Sequence, residues 1–126
     1  MAQDFVINIM SFGFRKGIPE GAEMVFDMRF VQNPYYVEEL RPLTGNDKAV
    51  SDYVMKDELT IRFIDDVVDL LKNAVPGFED KDRESLNVCF GCTGGHHRSV
   101  AVANEVYRRL EELGYNVTLQ HRQLEK

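Results

Sequence analysis

Tryptophan is absent from these 126 residues, and cysteine occurs only twice. The first absence excludes an acid-donating loop of the Trp-Pro-Asp type. The second, with Cys89 and Cys92 falling within one expected strand, excludes a disulfide framework and points to reduced thiols. No stretch approaches the run of about 18 apolar residues that a membrane helix requires. Nor is there a Gly-Lys-Ser or Gly-Lys-Thr, which rules out Walker-type ATP binding by these residues. Met1-Ala2-Gln3-Asp4 lacks a basic start, and the apolar run from Phe5 to Met10 is too short for a secretory core, so a cytoplasmic location is expected. Positive charge is also short. The formal net charge of −6 disfavours broad, unspecific nucleic-acid binding. What remains, with 44% apolar content, suits one domain over residues 1–126 with a single core. Its acidity is uneven: from His96 onward, Arg98, Arg108, Arg109, Arg122 and Lys126 face Glu105, Glu111, Glu112 and Glu125, with three histidines added.

The pattern along the chain alternates strands with helices. Asp4 to Ser11 and Met24 to Phe30 read as strands, separated by the turn Ile18-Pro19-Glu20-Gly21. Asn33 to Asp47, with two prolines and the pair Tyr35-Tyr36, reads as an ordered surface loop. Asp57 to Val75 places Ile64, Val67, Val68, Leu71 and Val75 at helical spacing, and Pro76-Gly77 is expected to end that helix. A charged run, Glu79 to Glu84, precedes a strand from Leu86 to Gly91. Ser99 to Leu113 repeats a helical apolar stripe closed by Gly114, and Asn116 to His121 alternates as a last strand. These elements predict an α/β fold with an open, mostly parallel sheet flanked by helices. Such sheets bind ligands beyond the carboxyl ends of their strands. That rule gathers Ser11 and Phe12, Asp27 and Arg29, and Cys92 to Ser99 at one crevice.

The densest chemistry lies in Cys92-Thr93-Gly94-Gly95-His96-His97-Arg98-Ser99, which joins a strand to a helix. Two glycines let successive backbone N–H groups curl toward an anion, and the following helix adds its positive N-terminus. Arg98 offers a planar fork, and Thr93 and Ser99 supply hydroxyls. Cys92, five residues, Arg98 and then Ser99 is also the spacing of cysteine-dependent phosphatases, which is a competing reading. Against it, Gly91 stands where those enzymes usually carry histidine, and no acid loop is present. A zinc or redox site from Cys89 and Cys92 is opposed by strand geometry, since residues three apart point to opposite faces. No metal or other cofactor is expected. Plain structural roles stand beside each of these. On that plain reading Gly94 and Gly95 relieve a turn, His97 and Arg98 cap a helix, Asp27 and Arg29 pair with each other, Arg41 staples its loop, and Arg108 and Arg109 face solvent.

Three segments, FGFRKGIPEGAEMVFDMRFVQNPYYVEELRPLTGND, VCFGCTGGHHRSVAVANEVYRRL and VTLQHRQLEK, resemble the C-terminal domain of the RapZ family. These are RNase adapter proteins, also described as P-loop nucleotide-binding proteins. The likeness spans nearly the whole chain and is weakest from Ser51 to Arg83. Family members carry an N-terminal Walker-type domain, so the chain resembles the C-terminal half alone, as a piece of a longer protein or as a solo version. The resemblance implies a fold similar to the sugar-phosphate-binding part of phosphofructokinases. It also implies a non-catalytic sensor for a phosphorylated amino sugar of the glucosamine-6-phosphate kind. Carried over by position, the ligand would meet Cys92, Thr93, Gly94, His97 and Arg98, with Asp27 and Arg29 nearby and Gly95, Ser99 and Ser11 around the cradle. Implied partners are small regulatory RNA, reached through Arg98, His121, Arg122 and Lys126, together with an endoribonuclease and a second copy in a homodimer. Enterobacterial members have lysine at His96 and histidine at Tyr35. The RNA expectation therefore loses a fixed cation, while the phosphate expectation depends on backbone amides and Arg98.

Overall fold

Runs rich in β-branched and apolar residues fold as strands in the computed structural model, which describes residues 5–124. They are β1 (Val6–Gly13), β2 (Met24–Asp27), β3 (Ser85–Cys92) and β4 (Asn116–His121). The sheet order is β2-β3-β1-β4, and every neighbouring pair is parallel. Helices α1 (Lys48–Met55) and α2 (Glu58–Glu79) lie between β2 and β3, and α3 (Arg98–Glu112) lies between β3 and β4. This is the α/β class expected, with a sheet that is parallel throughout. Ile7, Ile9, Leu86, Val88 and Phe90 alternate along β1 and β3 and share one core with Ile64, Leu71, Val102, Val106 and Leu110 of the helices. The intervening positions carry a polar row instead. Asn8 donates to Asn87 Oδ1 at 2.9 Å and accepts from Thr118 Oγ1 at 2.7 Å.

Beyond shifts of one or two residues, such as β1 running to Gly13 instead of Ser11, three features differ from the expectation, each for a local reason. The second strand stops at Asp27, because its carboxylate accepts the Arg29 backbone N–H at 2.9 Å and turns the chain. Arg29 therefore lies beyond the strand. Pro76-Gly77 does not end α2, which continues to Glu79. A proline in the last turn forfeits one bond, and its own carbonyl still accepts from Asp80 N at 3.0 Å. Residues Lys48 to Met55, to which the sequence pattern assigned no element, form α1 with Val50 and Val54 buried one turn apart. Asp4, expected to start the first strand, lies outside the described residues.

Candidate anion-binding site

Because β1, β2 and β3 run in one direction, their carboxyl ends open on one side of the sheet. Two backbone contacts fix the turn that follows β3 against the end of β1. The Arg15 N–H, in the short turn Phe14–Lys16, donates to the Thr93 carbonyl at 3.1 Å. Gly95, at φ +78°, lies so close to Gly13 that a Cβ placed on it would stand 2.5 Å from the Gly13 nitrogen. None of the N–H groups from Thr93 to His97 donates to a backbone carbonyl among the described residues. They are left at the N-terminus of α3, where no side chain caps the helix.

Arg98 opens α3 and is only 6% exposed. One of its terminal nitrogens donates to the Arg29 carbonyl at 3.1 Å and the Val31 carbonyl at 3.2 Å, and the other reaches Thr93 Oγ1 at 3.4 Å. Its Nε has no partner, and no carboxylate pairs with it among the described residues. A guanidinium held this way is a buried charge with no carboxylate in contact, the Asp27 carboxylate acting on it only through space, and an anion meeting it directly would offset the cost of its burial. Cys92 lies beneath the turn. Its thiol donates to Ser99 Oγ at 3.2 Å, and the Ser99 N–H donates to its sulfur at 3.4 Å.

The opposite wall comes from the segment between β2 and α1. The His97 Nε2–H donates to the Arg41 carbonyl at 3.2 Å, and the Gly45 N–H donates to the His96 carbonyl at 2.8 Å. A pocket of about 450 Å³ lies between the two walls. Arg15, Arg41, Arg98, His96 and His97 line it, together with Tyr35 and Tyr36, and no Asp or Glu does. All three arginines lack an ion-pair partner among the described residues, whereas Arg29, Lys48, Arg83, Arg108 and Arg109 each have one. Three arginines and two histidines thus line one mouth of an acidic chain.

Of the residues singled out from sequence, Cys92, Thr93, Gly94, His97 and Arg98 line the pocket. Gly95 and Ser99 stand behind it, the first against β1 and the second, fully buried, against Cys92. Ser11 is buried and bonded to His121 Nδ1 at 2.6 Å, so it is not part of the lining. Asp27 and Arg29 also lie off the lining. They pair with each other at 2.6 Å, and the Arg29 guanidinium lies 4.1 Å from the centre of the Phe14 ring. That hydrogen-bonded pairing holds the Asp27 carboxyl below the usual aspartate range. Only the Arg29 backbone carbonyl reaches the site, through Arg98. The His121 Nε2–H donates to Asn104 Oδ1 at 2.8 Å, and Arg122 donates to the Gly17 carbonyl at 3.2 Å. Lys126 lies outside the described residues. Arg15, Arg41 and Tyr36 belong to the lining without having been read as site residues. Arg15 was within reach of the strand-end rule, being two residues past β1. No periodicity marks the other two.

Cys89 faces away from this pocket, and burial pushes its thiol up. No group of three or more His, Cys, Asp or Glu residues able to hold a metal occurs among the described residues. Fold and pocket together define the class: an open, parallel α/β domain with an arginine-rich pocket beyond the carboxyl ends of its strands. A family model described as the RapZ C-terminal domain matches residues 5–125, and the chain belongs to that family. Curated relatives named as nucleotide-binding proteins include one from Clostridium beijerinckii, 48% identical over 92% of this chain and 40% of its own length. Others come from Carboxydothermus hydrogenoformans, 48% identical over 95% of this chain and 42% of its own, and from Limosilactobacillus reuteri, 47% identical over 98% and 42%. The chain thus spans about two-fifths of the relatives it matches. Among the described residues, no helix is long and apolar enough to cross a membrane.

Proposed function

We propose that this domain is a non-catalytic sensor that takes a phosphorylated sugar, of the glucosamine-6-phosphate class, in the cradle from Cys92 to Ser99. The observation that carries the reading is Arg98, a buried guanidinium whose Nε has no partner and which no carboxylate contacts among the described residues, at the edge of a pocket bordered by amides that meet no backbone carbonyl there. A phosphate there meets the helix N-terminus, the fork of Arg98, and Thr93. No carboxylate lines the pocket to receive an ammonium group, so the phosphate supplies most of the recognition. Binding to RNA phosphates through Arg98, with His121 and Arg122 as expected from the resemblance and with Arg15 and Arg41 added by the lining, contact with an endoribonuclease, and pairing as a cytoplasmic homodimer belong to the same reading. Light scattering checks the last.

Calorimetry with glucosamine-6-phosphate and inorganic phosphate tests the sensor. A charge-assisted hydrogen bond contributes about 1.5–3 kcal/mol, so Arg98→Ala is expected to weaken both ligands at least about tenfold. Arg98→Lys keeps the charge without the fork and should fall between. Unchanged affinity in a folded Arg98→Ala protein would overturn the reading. For RNA, affinity should drop steeply between about 50 and 200 mM salt, and Arg98→Ala should flatten that dependence.

A second reading, phosphatase chemistry at Cys92, is favoured by the Ser99 N–H and hydroxyl against the sulfur. Such an enzyme needs an acid for the leaving oxygen, and the lining holds no carboxylate. Aryl-phosphate hydrolysis that disappears in Cys92→Ser would establish it. A sensor shows no hydrolysis and keeps its ligand in that variant.

A further inference from the structure

The pocket extends well past the turn that would hold a phosphate, and its outer wall is aromatic. Tyr35 and Tyr36 sit on the short turn Pro34–Tyr36, with their rings edge to face at 5.8 Å. They are 50% and 79% exposed. The turn beneath them is held firmly. Pro34 is buried, and Asn33 Oδ1 accepts the Tyr35 N–H at 3.1 Å. Arg41 lies 4.7 Å from the centre of the Tyr35 ring and donates from its Nε to the Tyr35 carbonyl at 2.8 Å. This leaves the Tyr36 ring open on a backbone that is fixed at both sides.

An open aromatic face on an ordered turn, beside cations and a cradle for an oxyanion, matches the two halves of a nucleotide. Bases stack on tyrosine with little regard to identity, and guanidinium planes extend the platform. The absence of any carboxylate from the lining suits a ligand that is anionic at one end and flat at the other. We propose that the pocket accepts a nucleoside monophosphate unit, its phosphate in the Cys92 to Ser99 cradle and its base against Tyr36, with the Tyr35 and Arg41 pair flanking it. This inference rests on the anion-site reading and adds a ligand class to it. A free nucleotide and the 5′-phosphorylated end of a single strand both present that unit.

The test compares adenosine 5′-monophosphate, ribose 5-phosphate, inorganic phosphate and a short 5′-phosphorylated oligoadenylate by calorimetry. Quenching of tyrosine emission, undisturbed because the chain has no tryptophan, gives a second readout. Base stacking predicts that adenosine monophosphate binds about tenfold tighter than ribose 5-phosphate. Tyr36→Ala should erase that difference without changing ribose 5-phosphate affinity or the melting temperature, and Tyr36→Phe should keep it. Adenosine monophosphate binding no tighter than ribose 5-phosphate, while the oligonucleotide gains nothing over either, overturns the proposal and leaves the anion site standing. A Tyr36→Ala loss shared equally by all ligands also overturns it. Should the phosphates themselves fail to bind, the anion reading falls first and this one with it. Tight oligonucleotide binding that depends on both Tyr36 and the 5′-phosphate, beside weak mononucleotide binding, supports the stacking site and identifies the strand end as its source.

Discussion

Gly94 and Gly95 look alike in the sequence and differ in what surrounds them. A Cβ on Gly94 meets only the His96 ring at 3.4 Å, whereas one on Gly95 meets the backbone of Gly13 and Phe12 at 2.5 and 2.8 Å from a positive φ. Gly95→Ala is therefore expected to cost about 2 kcal/mol or more, read from urea denaturation, and Gly94→Ala much less. Sequence spacing located the turn but could not separate the two glycines, since the distinction is made by a strand end some 80 residues earlier. Arg98 shows the same limit. Its place at the start of a helix was legible, but its partners, the carbonyls of Arg29 and Val31, come from 69 and 67 residues away. The two thiols differ as well. Both are buried, but only Cys92 borders the pocket, so phosphate should slow alkylation of Cys92 and leave that of Cys89 unchanged, as followed by mass spectrometry.

Among the elements, α3 links the site to the rest of the core. Glu105 takes Arg108 at 2.8 Å and Arg109 at 3.0 Å, and Arg109 also pairs with Asp65 of α2. Hydrogen bonds from Arg108 first, then Arg109, hold the Glu105 carboxyl below the usual glutamate range. A carboxyl lowered in the fold stabilises fully above its ordinary value, about 4.3, and that contribution is lost as pH falls through the lowered one. Glu105→Gln should cost about 1 kcal/mol near neutral pH and flatten the acid limb of a stability curve measured by denaturation. The helices and strands that sequence revealed were those with long repeats: the α2 and α3 stripes, the β-branched runs of β1 and β3, and the alternation in β4. Eight-residue α1 buries only Val50 and Val54, too few for a period to show. Strand β2 is cut short by a side chain, Asp27, whose turn-making bond leaves no periodic trace.

At the scale of the molecule, three arginines that make no ion pair among the described residues, Arg15, Arg41 and Arg98, gather around one mouth of a chain of net charge −6. Phosphate at 100 times the unaltered domain's dissociation constant should raise its unfolding free energy by about 2.7 kcal/mol, and the same concentration should raise that of Arg98→Lys by less, as read from thermal melts. The strand order also decides what supports such a site. β1 is synthesised first yet lies between β3 and β4. Its far end is tied by the Arg122 N–H to the Ser11 carbonyl at 3.0 Å and by the Gly13 N–H to Gln123 at 2.6 Å. Gly13, the floor on which Gly95 rests, is thus held from two sides, by β3 through its register with Cys92 and by the segment after β4 through Gln123. The segment after β4 thus braces the proposed cradle from behind, though none of its described residues lines the pocket.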